Sequence, residues 1–176
     1  MFRDRMSSGS PLVLTAQPLT AGAFAPYGDV IAASGQASRI NQGMGGRCSN
    51  LAQVDVSADG GRAAISVITC IPESLPINLR LMERHPLGSQ CFVPLNGQRY
   101  VVVVAPAGEP PKREDLRAFL CRGYQGVNYH RGVWHHPMLA LDRPCEFAEF
   151  HRIGPGANCD EVALPCAVVV NVAESD

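Results

Sequence analysis

The stretch Arg99-Tyr100-Val101-Val102-Val103-Val104-Ala105 contains four consecutive valines and runs directly into the proline-rich segment APAGEPPKRE, residues 105–114. β-Branched and aromatic residues favour β-strands. Proline and glycine end such a run, because proline lacks the backbone N–H and glycine is conformationally free. The stretch therefore predicts a strand that is followed by a surface loop.

Short apolar runs of the same kind recur along the chain, separated by turn residues. The 17 glycines and 14 prolines fall between these runs rather than in one block. Nine further runs are predicted to be strands: Asp29–Ala32, Arg62–Cys70, Ile77–Glu83, Gln90–Pro94, Leu116–Cys121, Val127–Tyr129, Pro137–Leu141, Cys145–Arg152 and Asp160–Leu164. Many short strands at this spacing predict an antiparallel sandwich or barrel, of which a jelly roll is the compact form.

The rest of the chain predicts one helix and one long loop. Thr20 can cap a short N-terminal helix over residues 21–27, and Gly28 lies just beyond its end. The glycine-rich segment Ala33–Asn50 predicts a loop that could cover a site. At 176 residues, the chain predicts a single domain over residues 12–165, with a flexible tail at residues 1–11 and another tail at residues 166–176.

Composition and charge exclude several classes of function. Fifteen Lys+Arg against sixteen Asp+Glu leave no basic surface for nucleic acid. No apolar run reaches the roughly 18 residues that a membrane-spanning helix needs. Met1–Ser10 lacks the apolar core of a secretory signal, and the seven scattered cysteines contain no Cys-x-x-Cys pair. We therefore expect a cytoplasmic protein with reduced thiols, and no partner among nucleic acids or membranes.

Four of the five histidines lie in two segments, of which the first reads Leu81-Met82-Glu83-Arg84-His85-Pro86-Leu87-Gly88-Ser89-Gln90. Side chains alternate in an extended chain, so Glu83 and His85 share one face and Arg84 takes the other. A carboxylate and an imidazole so placed can bind a metal or exchange protons with a substrate. The same triplet would also suit a solvated strand end before Pro86.

The second segment, Gly126–Pro137, contains three histidines and the only tryptophan. His135 and His136 are adjacent, so at most one of them faces the interior of a barrel. Gly132 marks a turn that could bring His130 to the same cavity. The segment predicts a site; the alternative is a core edge with hydrogen-bonded histidines.

A third pair, Glu149 and His151, also shares a strand face, in this case with Phe147. We interpret this pair as structural.

Together, the two histidine segments resemble a degenerate pair of cupin motifs. Cupins have His-x-His, then Glu and Gly, in the first motif and Pro-x-Gly-x-x-His in the second. Here Glu83 takes the place of the first His and His85 matches the second, while Gln90 replaces the Glu. In the second motif, His130 replaces the Pro and His135 matches the His. The resemblance implies a mainly β, cupin-like antiparallel jelly-roll β-barrel.

Among cupin-like families, the sequence most resembles the ureidoglycolate lyases. The resemblance spans about Leu14 to Leu164 in order. It is found in these stretches: Phe24-x-x-Tyr27-Gly28-Asp29-Val30-Ile31, Ile40–Gly43 with Arg47, Glu83–Gln90, Tyr100–Ala105, Leu116–Phe119, Gly126–His130, Val133–Pro137 and Asn158–Asp160. It implies cleavage of (S)-ureidoglycolate to glyoxylate and urea in allantoin and purine breakdown. The family also implies a homodimer, and Tyr100–Ala105 could be an edge strand that a partner covers.

This reaction needs a base for the substrate hydroxyl and an acid for the departing urea nitrogen. His135 and His130 are the candidate base and acid, and Glu83 and His85 complete a polar floor. Removal of either His130 or His135 should then abolish most of the turnover.

Substrate binding needs a cation and amide partners. A guanidinium can bind a carboxylate through two hydrogen bonds. Arg47 in the glycine-rich loop is the first candidate, and Arg84 and Arg131 are weaker ones. Asn128 and Gln90 could bind the urea group, which offers both donors and an acceptor.

A metal is left open by the sequence. Glu83, His85, Gln90 and His135 could hold a divalent cation that acts as a Lewis acid. The same side chains could instead form a metal-free, hydrogen-bonded pocket. Two other functions also stay open: an amidohydrolase that releases ammonia from ureidoglycolate, and a non-catalytic cupin module that binds a small carboxylate.

Overall fold

The computed structural model describes residues 11–33, 35 and 37–173, and this part of the chain is mainly β. The predicted N-terminal tail lies outside the described residues as far as residue 10. The described residues form one α-helix, α1 (Ala21–Phe24), and fourteen strands: β1 (Leu12–Pro18), β2 (Gly28–Ile31), β3 (Ser38–Ile40), β4 (Gly45–Arg47), β5 (Arg62–Cys70), β6 (Ile77–Arg84), β7 (Gln90–Pro94), β8 (Gly97–Ala105), β9 (Arg117–Gly123), β10 (Gly126–Tyr129), β11 (Trp134–His135), β12 (Leu139–Ala140), β13 (Cys145–Ile153) and β14 (Asp160–Val172).

Two sheets pack against each other. The larger has the order β11-β6-β14-β1-β9-β8-β12, and β11 also pairs with β8, so six of its strands close into a ring. The smaller has the order β2-β10-β7-β13-β5. Most pairs are antiparallel, but β1 runs parallel to both β14 and β9. The predicted mainly β, cupin-like barrel with a short N-terminal helix is confirmed, with β1 as a parallel exception.

The core has two parts, and β8 contributes to both. Val102 and Val104 face the space between the sheets, whereas Val101 and Val103 face the interior of the closed ring. All four valines are 0% exposed, which explains why this strand is apolar on both faces. β8 pairs with β9 on one side and with β11 and β12 on the other. The expectation that Tyr100–Ala105 forms an edge strand is therefore wrong.

The chain ends of the domain differ from the prediction. β1 was not predicted, and β14 continues to Val172, so the tail predicted at residues 166–176 is a strand as far as Val172. Val168 and Val170 alternate with more exposed residues and are 1% and 0% exposed. Burial of this apolar face in the interior of the ring makes the segment part of the sheet.

Local structure near the N-terminus follows the predicted signals only in part. Oγ1 of Thr20 accepts a hydrogen bond from the backbone N of Ala23 at 3.2 Å, as an N-cap does. The helix ends at Phe24, and the C-cap residue Ala25 keeps right-handed helical dihedral angles although it precedes Pro26. The segment predicted as a loop, Ala33–Asn50, contains the small hairpin of β3 and β4. Among the described helices, none is long and apolar enough to span a membrane.

Candidate active site

The candidate site lies between the two sheets, where β6 and β11 run side by side. Glu83 and His135 are direct partners in this antiparallel pair, so their side chains lie on one face. Oε1 of Glu83 lies 3.3 Å from Nε2 of His135. His135 is 2% exposed, and its ring stacks on Tyr129 of β10 with 4.2 Å between ring centroids. The fold thus holds a carboxylate against a buried imidazole.

His85, which directly follows β6, and Gln90, at the start of β7, lie next to this pair. The rings of His85 and His135 have centroids 5.3 Å apart. Oε1 of Gln90, the first residue of β7, lies 3.0 Å from Nε2 of His135. We call Glu83, His85, Gln90 and His135 the imidazole cluster. The structure brings together all four side chains that the sequence suggested as possible metal ligands.

Hydrogen bonding limits what Nε2 of His135 can carry. Nδ1 of His135 lies 3.0 Å from the carbonyl oxygen of Val133, so Nδ1 keeps a proton and donates it. Nε2 faces two oxygens, those of Glu83 and Gln90. Two acceptor oxygens around Nε2 favour a proton or a cation at that nitrogen over a bare lone pair.

His85 presents to the same space a ring nitrogen that has no hydrogen-bond partner among the described residues. Its Nδ1 lies 2.6 Å from the carbonyl oxygen of Asn158 and donates to it. Its Nε2 is buried and has no hydrogen-bond partner within the described part of the chain. The ligand atoms of Glu83, His85 and His135 all lie within 4.8 Å of one another. These three residues therefore form a cluster that could hold a metal ion.

The electrostatics of the cluster favour an ionised carboxylate. The hydrogen bond from His135 lowers the pKa of Glu83 below its ordinary value and outweighs the opposing effect of burial. The neighbouring His136 behaves differently, because burial lowers its pKa. Nδ1 of His136 donates to the carbonyl oxygen of Pro137 at 2.8 Å. His136 is thus a neutral core side chain, and His135 is the member of the pair that faces the cluster.

A second carboxylate–imidazole pair, Glu149 with His151, extends the cluster along the smaller sheet. Nε2 of Gln90 donates to Oε1 of Glu149 at 2.8 Å, and the same oxygen lies 3.3 Å from Nδ1 of His151. Nε2 of His151 lies 3.5 Å from Oγ of Ser66. The interpretation of Glu149 and His151 as purely structural therefore missed their contact with the cluster. Their spacing is the same as that of Glu83 and His85, and this was the signal in the sequence that they belong to one polar face.

Arg84 lies away from the cluster. Its Nε donates to Oδ2 of Asp160 at 2.8 Å, and the guanidinium lies 4.7 Å from the ring centroid of Trp134. It also donates to the carbonyl oxygen of Gly108. Strand alternation therefore places Arg84 on the face opposite Glu83, where it stabilises the strand end rather than binding a ligand between the sheets.

His130 and Arg131 lie in a second pocket, with a volume of about 360 Å³, which is lined by Gln53, Asp55, Ser89, His130 and Arg131. Nε2 of His130 lies 3.2 Å from Oδ1 of Asp29. Nε of Arg131 donates to the carbonyl oxygen of Pro86 at 2.7 Å. The turn at Gly132 is present, but it leaves His130 beside Asp29. The structure therefore does not bring His130 to His135 as the sequence suggested.

Asn128 is separated from Gln90 by the sheet itself. Tyr129 is the partner of Gln90 across β10 and β7, whereas Asn128 is the partner of Cys91. Side chains on neighbouring positions point to opposite faces, so Asn128 and Gln90 cannot hold one urea group together. Nδ2 of Asn128 instead donates to Oδ2 of Asp29 at 2.9 Å, next to the second pocket.

Arg47 ends strand β4 on the small hairpin, where it is exposed. Its guanidinium makes no hydrogen bond or ion pair with the residues that the structure describes. Its role as a carboxylate clamp stays a prediction.

Sequence similarity to known proteins extends over nearly the whole chain. The family model described as ureidoglycolate lyase matches residues 11–171. The chain belongs to the ureidoglycolate lyase family. A ureidoglycolate lyase of Burkholderia cepacia is 52% identical over 162 residues, which are 91% of this chain and 90% of that protein. A ureidoglycolate lyase of Azotobacter vinelandii is 49% identical over 150 residues, which are 85% of this chain and 90% of that protein.

Solved structures align with this member of the ureidoglycolate lyase family over shorter stretches. RmlC from Streptococcus suis has a TM-score of 0.41 and 10% identity, over 55% of this chain and 46% of that chain. A variant of Bacillus subtilis oxalate decarboxylase has a TM-score of 0.40 and 16% identity, over 58% of this chain and 24% of that chain. The chain thus spans less than half the length of these structures.

Proposed function

We propose that this protein is a ureidoglycolate lyase that cleaves (S)-ureidoglycolate to glyoxylate and urea. The observation that carries the proposal is the 52% identity, over 91% of the chain, to a protein named for this activity. The imidazole cluster supports it, because the reaction needs groups that accept and donate protons within one small space.

The reaction moves one proton and consumes none. Ureidoglycolate bears a hydroxyl, a carboxylate and a urea nitrogen on the same carbon. When the carbon–nitrogen bond breaks, the hydroxyl oxygen becomes the carbonyl oxygen of glyoxylate and loses its proton, and the urea nitrogen gains one. One base and one acid are sufficient, and each contributes a factor of about 10² to 10⁴ to the rate.

Glu83 and His135 are the residues that we assign to this proton movement. The lowered pKa of Glu83 keeps its carboxylate ionised, so it can accept the hydroxyl proton. In the metal-free site, Nε2 of His135 carries a proton and donates it to the urea nitrogen. The 3.3 Å contact then allows the proton on Glu83 to return to His135, which resets the pair. This assignment replaces the pairing of His130 with His135.

The donor set of the cluster also fits a divalent cation. Nε2 of His85 and of His135 would hold it together with Oε1 of Glu83 and of Gln90, a mixture of nitrogen and oxygen ligands that borderline cations accept. Such an ion, when bound, supplies Lewis-acid stabilisation of negative charge on the substrate. With a metal bound, His135 has no proton to donate at Nε2, so the metal dependence of turnover separates the two arrangements.

The substrate carboxylate needs a cation, for which we propose Arg47. Arg84 is held by Asp160 and Trp134, and Arg131 lies at the second pocket. Arg47 lies on the exposed hairpin within the glycine-rich segment Ala33–Asn50. A guanidinium on a hairpin of this kind is suited to bind a small anion through two hydrogen bonds.

The decisive experiment incubates purified, EDTA-treated protein with racemic ureidoglycolate and measures urea, glyoxylate and ammonia, with and without added divalent metals. Equal amounts of urea and glyoxylate are expected, with at most half of the racemate consumed. Full activity after EDTA treatment would favour proton transfer by Glu83 and His135, whereas activity that returns only with metal would favour the Lewis-acid arrangement. Ammonia in place of urea would indicate the amidohydrolase, and absence of turnover under all conditions would indicate a binding module.

We also propose that the protein forms a homodimer in the cytoplasm. β5 is an edge strand of the smaller sheet, and Ile65 and Val67 on its outer face are each 67% exposed. Exposed β-branched side chains beside an unpaired edge are typical of a surface that another chain covers. Light scattering of the purified protein tests this, and the mass of a single chain would contradict it.

A further inference from the structure

The buried carboxylate of Glu149 lies at the end of the Gln90 amide that is turned away from His135. Glu149 is 8% exposed. Its Oε1 accepts a hydrogen bond from Nε2 of Gln90 at 2.8 Å and lies 3.3 Å from Nδ1 of His151. Within the described part of the chain, these two contacts are the polar contacts of the carboxylate.

A glutamine amide has two chemically different ends. Its NH₂ group only donates hydrogen bonds, and its oxygen only accepts them. In the structure, Oε1 of Glu149 accepts from the NH₂ end of Gln90, and an acceptor oxygen at this position cannot pair with the amide oxygen. The oxygen of Gln90 is then the end that faces Nε2 of His135, at 3.0 Å.

We propose that Glu149 is a positioning residue for the lyase reaction: it fixes the Gln90 amide so that its oxygen, and not its NH₂ group, faces the imidazole cluster. If the amide turned over, an NH₂ group would face Nε2 of His135. The cluster would then lose an acceptor oxygen, which can accept a hydrogen bond from His135 or coordinate a bound cation. Glu149 thus acts on the cluster through Gln90.

The residues around Glu149 explain why it stays in place. Glu149 lies on β13 next to β7, and its partners across the two neighbouring strands are Phe92 and Ser66. His151, two residues along the same face, contacts the carboxylate with Nδ1 and lies 3.5 Å from Oγ of Ser66 with Nε2. The carboxylate is therefore held between Gln90 and His151, and rotation away from the amide would leave it buried without a donor.

Three variants test this inference. Glu149→Gln keeps the shape but can offer either an oxygen or an NH₂ group to Gln90, so the orientation of Gln90 is no longer imposed. The double variant Gln90→Glu with Glu149→Gln exchanges the two side chains. The amide at position 149 would then donate to the carboxylate at position 90, whose second oxygen faces His135. Glu146→Gln is the matched control, because Glu146 lies on the same strand but is exposed.

We expect Glu149→Gln to lower kcat about 10- to 100-fold, the range found for residues that orient the groups of a site. KM should change much less. The double variant should have a higher kcat than Glu149→Gln, because an acceptor oxygen again faces His135. Glu146→Gln should match the wild-type protein. Equal kcat values for Glu149→Gln and the wild type, or a double variant no better than Glu149→Gln, would overturn the inference.

A measurement that does not need activity gives an independent answer. In the wild-type protein, the side-chain NH₂ protons of Gln90 point towards Glu149, so their nuclear Overhauser contacts with the ring protons of His135 should be weak. In Glu149→Gln, the same contacts should become stronger. Contacts of equal strength in the two proteins would overturn the inference. The inference rests on the proposed function for its kinetic readout only: a wild-type protein without lyase activity would refute that function, and the NMR contacts would still decide the orientation of Gln90.

Discussion

Replacement of His135 by asparagine should raise the pKa of Glu83 and destabilise the protein at neutral pH. Asparagine keeps a donor near the position of Nδ1 but has no group at the position of Nε2. The hydrogen bond from His135 is the largest cause that lowers the pKa of Glu83, and burial, the next largest, raises it. Without His135, we expect burial to dominate and the pKa of Glu83 to lie above its ordinary value of 4.5.

The contribution of Glu83 to stability then changes sign. In the wild type, its folded pKa lies below the unfolded one, so it stabilises the protein above pH 4.5 and loses this contribution as the pH falls through the folded pKa. In the variant, ionisation of a carboxyl with a raised pKa opposes folding as the pH rises. The difference in free energy of unfolding should therefore grow from acid to neutral pH and reach about 2 to 4 kcal/mol, from a charged hydrogen bond and a ring stack.

Urea unfolding of the EDTA-treated proteins at acid and neutral pH measures this difference. His135→Gln is the matched control, because its amide NH₂ reaches the position of Nε2 and can donate to Glu83. It should recover most of the stability and none of the turnover, since an amide does not exchange a proton as imidazole does. The reasoning would be refuted if the His135→Asn variant were as stable as the wild type at neutral pH and a carboxyl-carbon NMR titration showed an unchanged pKa for Glu83.

Three further outcomes are expected. Arg47→Ala should raise KM at least about tenfold in steady-state assays, because the substrate carboxylate loses a charged hydrogen-bonded partner. Replacement of the exposed Arg143 by alanine should leave KM unchanged, and equal effects of the two substitutions would contradict the role of Arg47 as a carboxylate clamp. Phe147→Ala should cost about 3 to 5 kcal/mol in urea unfolding, because this ring is 0% exposed in the core between the sheets; a loss typical of a surface site would contradict that packing. His130→Ala should lower kcat far less than His135→Asn, because His130 lies in the second pocket; comparable losses would restore it to the mechanism.

Much of the fold could be predicted because it depends on local patterns. The valine run of β8 and its proline-rich boundary are read from neighbouring residues, and so is the N-cap at Thr20. The errors arose where a segment is ordered by distant partners. β1 and the end of β14 pair with each other, 156 positions apart at Leu12 and Val168, and neither segment alone shows whether a partner is available. A tail and a strand then look alike in sequence.

The residues of the site were also predicted correctly where their placement depends on local alternation, and wrongly where it depends on distant strands. Alternation along one strand correctly separated Glu83 from Arg84, because the period of two is a property of the strand itself. The sequence placed His130 in one cavity with His135 across the turn at Gly132, and it paired Asn128 with Gln90 for the urea group. Whether Asn128 and Gln90 share a face depends on the register of β10 against β7, and that register places Asn128 opposite Cys91.

By itself, the sequence determined the class of fold, the family and the residue types that converge: Glu83, His85, Gln90 and His135. Tertiary structure alone decided that the oxygen of Gln90 faces His135, because that orientation is set by Glu149 on another strand, 59 positions away. It also decided that His130 belongs to a different pocket. The physical reason is the same in both cases: side-chain periodicity is local, whereas the partners of a side chain depend on which strands lie next to each other and in which register.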